Sequence, residues 1–127
     1  MIEVPISIGE LYDKISILEI KVEKGLDAAN KELELLKEIS QKLYTPIYVE
    51  GLYKALKSIN SHLWIVEDMK REKESDNEFD DQFIEIARTV YILNDQRAHL
   101  KKLINKSTQK LLLLPTSFLK LMPTPFS

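Results

Sequence analysis

The sequence predicts an all-α fold: a four-helix, bundle-like domain whose third and fourth helices form a long antiparallel hairpin. Three observations predict it. Apolar residues recur at helical spacings along four separate stretches. Stop and start residues punctuate those stretches, with Ser7 before the first, Gly25 after it, Thr45-Pro46 after the second and a polar run around Asn77 before the fourth. The chain has 127 residues, 44% apolar and 30% charged, which suits one folded domain with a modest core.

Residues 2–6, IEVPI, are apolar but interrupted by Pro5, so they read as an extended lead-in or edge strand. A strong helix start follows. Ser7 can cap, Glu10 stands three residues later, and Ile6 and Leu11 are placed as a hydrophobic staple. Helix 1 therefore begins at Ser7 or Ile8 and stops at Gly25, the natural residue after a C-cap. Its stripe is Ile8, Leu11, Tyr12, Ile15, Leu18 and Val22, with Glu19 on the edge. Ile17 and Ile20 point elsewhere, so this helix wants more than one neighbour.

Helix 2 is expected from Asp27 or Ala28 to Leu43, with Leu33, Leu36, Ile39 and Leu43 on one face. Helix 3 is expected from about Val49 to Glu74. Its residues Leu52, Leu56, Ile59, Leu63, Val66 and Lys70 alternate spacings of four and three, as in a coiled-coil seam. The run REKESDNEFDD is the loop, and Asp80 or Asp81 can cap the next helix. Helix 4, Phe83 to Ile104 with fraying near Ser107, carries Phe83, Ile86, Ala87, Val90, Leu93 and Ile104 on one face. Asn94, Arg97 and Lys101 fall in the middle of that same face. The domain is expected to span 1–106. Residues 107–127, which end in LLLLPTSFLKLMPTPFS, form an apolar, proline-containing arm. That arm is expected to pack on the body or on a second copy, in preference to a membrane surface.

Composition excludes several classes. There are no cysteines, so disulfides, thiolate zinc sites and cysteine nucleophiles are ruled out. Two histidines, His62 and His99, cannot alone make a usual histidine-rich metal site. A net charge of −2 is not that of a nucleic-acid binder. The charge is uneven, however: residues 1–95 hold all 20 acids against 12 bases, whereas 96–127 hold Arg97 and five lysines with no acid. No secretory signal or membrane-spanning stretch is visible, and a cytoplasmic location is the expectation. No catalytic serine arrangement is readable. The ExxE segment of MazG-like pyrophosphohydrolases is missing, although ExxD occurs at Glu10–Asp13 and Glu78–Asp81. Chorismate mutases place arginines on several helices, and helix 1 here has none.

Two clusters are candidate sites. The first is Asn94 and Arg97, with Lys101, Lys14 and Glu19. A buried arginine must be paired, and Glu19 is the expected partner; such a pair can simply fix helix register. The same arginine could instead hold a carboxylate or phosphate in its planar fork. The second is a flank of helix 3, Trp64, Glu67, Asp68 and Arg71, with Arg88 facing it from helix 4. It reads as an ion pair of Glu67 with Arg71 beside a half-buried tryptophan, or as an interaction flank. In an antiparallel hairpin turning about Asn77, Asn60 faces Asn94, Lys57 faces Arg97 and Val66 faces Arg88, which leaves Glu67 or Asp68 for Arg88.

The segments IEVPISIGELYDKISILEIKVEK, LWIVEDMKR and FIEIARTVYILNDQRAHLKKLIN together resemble a family of small bacterial helical proteins of unknown function. The likeness spans roughly residues 2–106. It implies an α-helical domain with no established reaction, sometimes encoded near or fused to sugar-transfer and envelope-polysaccharide functions. The family's recurring polar positions correspond to Asp13, Lys14, Glu19, Lys21, Trp64, Glu67, Asp68, Arg71, Arg88, Asn94, Asp95 and Arg97. The family usually ends in a short acidic tail, and the apolar ending here departs from it.

The expectation drawn from all this is a non-catalytic interaction or accessory module with no cofactor, connected with envelope sugar metabolism. Ile17, Ile20, Ile47, Tyr48 and the arm are the surfaces expected to build a homodimer or receive a protein partner. The alternative is a binding or enzymatic domain for an anionic metabolite at the Glu19, Asn94 and Arg97 cluster.

Overall fold

The computed structural model describes residues 2–108 and the backbone of 111–115. The fold is all-α and bundle-like: α1 (Ile8–Glu23), α2 (Asn30–Gln41), α3 (Tyr48–Ser75) and α4 (Asp81–Thr108). A short antiparallel ribbon joins β1 (Glu3–Ser7) to β2 (Leu111–Pro115), pairing Glu3 with Pro115 and Ser7 with Leu111. The edge-strand reading of the N-terminal segment is thus met, and its mate comes from the arm. Residues 116–127 of the arm lie outside the described residues, and so does any docking of them.

Local chemistry sets the boundaries. Ser7 caps α1 by accepting a hydrogen bond from the Glu10 amide at 3.2 Å. At the other end Gly25, at φ +87°, lets the Gly25 amide reach the Val22 carbonyl and the Leu26 amide the Lys21 carbonyl. That pair of bonds closes α1 as a Schellman motif. The α3–α4 turn is built the same way with an asparagine. Asn77 sits at φ +54°, while the Asn77 and Glu78 amides return to the carbonyls of Glu74 and Lys73. Asp80 then caps α4 by accepting from the Phe83 amide at 2.9 Å. Helix 2 is shorter than its pattern suggests, because Asp27–Ala29 forms a separate 3₁₀ turn and the helix stops before Lys42.

Helix α1 is the hub. One face, Leu11, Ile15 and Leu18, packs with Ile6 against Leu33 and Leu36 of α2. The opposite face sends Ile17 into the hairpin beside Leu63, Val66, Ile86 and Leu93. Ile8 joins Val49, Leu56 and Ile104. The expectation that Ile17 and Ile20 remain for a second copy is therefore corrected. Both are 2% exposed within one protomer, because three helices, not two, surround α1. Ile47 and Tyr48 do stay exposed.

Candidate functional site

The polar centre anticipated on α4 exists, but its acid is Asp13. Arg97 Nε donates to Asp13 Oδ1 at 2.9 Å and Arg97 Nη2 to Oδ2 at 2.5 Å, a bidentate fork. Both side chains are out of water, with 12% and 3% of their surfaces exposed. Asn60 of α3 completes the junction, donating to Asp13 Oδ1 at 2.9 Å and to Ser16 Oγ at 2.7 Å. The Ser16 hydroxyl in turn donates to the Asp13 carbonyl at 2.7 Å. Lys101 binds Glu10 and lies 3.9 Å from Asp13 Oδ2. One carboxylate on α1 thus gathers groups from α3 and α4, which fixes the register of all three helices. Within this network the buried Asn60 Oδ1 has no hydrogen-bond partner among the described residues.

The helices can approach this closely because of Gly9. Its amide donates to Asn105 Oδ1 at 2.7 Å. A Cβ there would stand 2.6 Å from the Lys101 carbonyl oxygen and 2.8 Å from Asn105 Oδ1. The α1–α4 crossing therefore requires glycine.

The other candidate residues are spread out. Glu19, the expected partner of Arg97, instead binds Lys37 of α2 and Lys57 of α3, each at 3.7 Å. The physical reason is rotation about α1: Asp13 lies on the face turned to the hairpin, and Glu19 on the side nearer α2. Burial pulls the Lys57 amine down, but its bonds to Glu23 and Glu19 outweigh that and hold it above its usual range. Lys14 is 2% exposed, and burial depresses its ammonium to about 8 despite the neighbouring Glu32, Glu10 and Asp13. Asn94 is half-buried on α4 and makes no side-chain hydrogen bond to a described residue. Asn60, expected to face it, is turned to α1 instead, because Asp13 offers a charged acceptor.

The helix 3 flank also differs from its pattern. Glu67 is 1% exposed and pairs with Lys70 at 3.3 Å, while exposed Arg71 pairs with Asp68 at 3.1 Å. The i,i+4 pair of Glu67 with Arg71 gives way to two i,i+3 pairs because Glu67 turns into the hairpin. Arg88 is exposed and forms no ion pair with a described residue, so neither Glu67 nor Asp68 serves it. Trp64 is half-buried against the hairpin core, with Lys24 Nζ 5.6 Å from its ring centroid.

A separate opening lies away from Arg97. It is a groove of about 840 Å³ between α1, the end of α2 and the start of α3, with Tyr12, Glu19, Lys37, Tyr44, Ile47 and Tyr53 on its walls. Tyr12 and Tyr53 meet edge to face at 5.6 Å. The Tyr53 hydroxyl is buried with no hydrogen-bond partner among the described residues. Tyr44 and Ile47 are 84% and 88% exposed at the rim.

Asp13, Asn60 and this groove were missed as site elements. Asp13 stands out in the sequence only as one of the family's recurring polar positions and Asn60 only as a residue facing Asn94, and their junction exists once three helices are assembled. The groove arises from the α2–α3 turn, which carries no helical periodicity. Ile17 and Ile20, which share a face with Asp13, are the signal that a second buried side of α1 exists.

Among the described residues no helix is long and apolar enough to cross a membrane, and no three His, Cys, Asp or Glu side chains are grouped to hold a metal ion. No curated protein and no solved structure matches the chain. A family model does match, over residues 2–126, which is nearly the whole chain. The chain belongs to that family, DUF6165, a family of unknown function.

Proposed function

We propose that this domain is a non-catalytic interaction module that receives a protein partner in the groove between α1, α2 and the α2–α3 turn. The observation that carries the reading is the exposure of Tyr44 and Ile47 together at the rim of a groove lined by Tyr12 and Tyr53. An aromatic and an aliphatic side chain held in water beside a concave aromatic wall suit an anchoring contact. Glu19 and Lys37 on the walls supply charge for orientation. The resemblance noted in the sequence supports looking for that partner among proteins that serve envelope sugar metabolism.

The competing reading, an anionic metabolite at Arg97, has less support. The guanidinium already spends two donors on Asp13 and is nearly closed from water. A phosphate would have to displace a buried carboxylate from it.

The test places a photo-crosslinking amino acid at position 47 in cells that express the chain. A defined partner is expected, lost when Tyr44→Ala or Lys37→Glu is added. A thermal-shift series with nucleotides, sugar nucleotides and sugar phosphates runs beside it. Stabilisation by one of these anions that Arg97→Lys abolishes would overturn the reading in favour of the metabolite site.

A further inference from the structure

The outer side of α4 carries a pattern that the bundle does not use. Ile84, Arg88, Tyr91, Asp95 and Lys102 recur at spacings of four, three, four and seven, the rhythm of a helix seam, with Ile92 and His99 alongside. Ile84, Tyr91 and Ile92 are 54%, 67% and 48% exposed. Arg88, Asp95, Lys102 and Asp81 are exposed as well. None of these four charges makes an ion pair with a described residue of its own chain.

The stripe is complementary to itself. With two copies of α4 laid antiparallel about a two-fold axis between Tyr91 and Ile92, Arg88 faces Asp95 of the second copy. Asp81 likewise faces Lys102, and Ile84 faces His99. Tyr91 and Ile92 meet their counterparts at the centre. The two-fold repeats each contact, so every charge acquires an opposite one. A parallel, in-register pairing would set Arg88 against Arg88 and Asp95 against Asp95, which the same charges oppose. The stretch from Asp81 to Lys102 is roughly 30 Å long at ~1.5 Å per residue, and antiparallel alignment also opposes the helix dipoles favourably.

We infer that this face of α4 binds a second copy of the chain and makes an isologous antiparallel dimer. The inference does not rest on the groove, which lies on other elements. A single helix pair is at the small end of specific interfaces, so the dimer is concentration-dependent.

Sedimentation equilibrium of the full chain over rising concentration is the test. The wild type is expected to approach twice the chain mass. Arg88→Asp and Asp95→Arg each set like charges across the axis and are expected to weaken the dimer at least tenfold. Combining them in one chain restores opposite charges and the dimer. Mixing the two single variants should give a heterodimer, since each then meets the opposite sign. Both positions are exposed, and circular dichroism confirms the fold of each variant. A wild type that stays monomeric, a dimer indifferent to both single changes, or a loss that neither mixing nor the double swap reverses overturns the inference.

Discussion

Removing Arg97 tests the centre of the fold most directly. Arg97→Ala leaves the Asp13 carboxylate with 3% of its side-chain surface exposed, two donor contacts poorer, and supported by Asn60 and a lysine at 3.9 Å. Stranding a buried charge in this way costs about 3–5 kcal/mol. A chain of 127 residues has roughly 6–19 kcal/mol of stability in all, so the loss corresponds to a fall in Tm on the order of 10–20 °C. Asp13→Leu strands the guanidinium instead and should cost a similar amount. Asp13→Leu with Arg97→Met strands neither charge and should cost less than the two singles together. The coupling energy from urea unfolding of the four proteins is expected at about 2–3 kcal/mol. If Arg97→Ala loses less than ~1 kcal/mol, or if the cycle is additive, the buried fork does not organise the bundle.

Gly9→Ala should destabilise by about 1–3 kcal/mol, because its methyl meets the Lys101 carbonyl and α1 must move off α4; urea midpoints measure the loss, and unchanged stability refutes the close crossing. Lys14 gives a pH signature. Its folded pKa of about 8 lies below the unfolded 10.5, so the unfolded chain binds the extra proton between these values and stability rises with pH across that window. The rise amounts to ~3 kcal/mol at most, and Lys14→Met should flatten it, as read from urea midpoints at pH 7 to 10. Asn77→Val forces a branched side chain into the left-handed region and should cost about 1–2 kcal/mol, whereas Asn77→Gly is tolerated; thermal melts separate the two. Asp80 is held below the usual carboxylate range, first by the Phe83 amide and then by Lys73. Its contribution is present above the unfolded value of 3.8 and fades as pH falls through the folded one, so Asp80→Ala should speed amide exchange in the first turn of α4 near pH 6 and matter less in acid.

The helices and their ends were legible because they depend on local chemistry. Ser7, Gly25, Asn77 and Asp80 each act within a few residues and do in the structure what their type and position imply, whereas the Glu10 carboxylate goes to Lys101 of α4. The polar centre was legible by half. Asn94, Arg97 and Lys101 break the stripe of α4 and so announce a buried charge. Its partner depends on how α1 is rotated, and the side marked by Ile17 and Ile20 does not by itself single out Asp13 over Glu19 as the acid that meets α4. In fact Gly9, Asp13, Ser16, Ile17 and Ile20 form a second buried face, opposite Leu11, Ile15 and Leu18. Three neighbours leave α1 only a narrow polar side, and Glu19 lies on it, turned to Lys37 and Lys57 and away from Arg97.

The same fork has a consequence for synthesis. Asp13 and Arg97 are 84 residues apart in the chain, as Gly9 and Asn105 are 96 apart. At ~5–20 residues per second, α1 leaves the ribosome on the order of 10 s before the helix that neutralises it. Throughout that interval Ile17 and Ile20 flank a carboxylate that has not yet met its guanidinium. Helix α2 is made early enough to cover the opposite side of α1, whereas the side with Asp13 has no mate until the hairpin is complete. The final step is then a single event, in which the completed hairpin closes over α1 and supplies the charge, the amide and the apolar wall together.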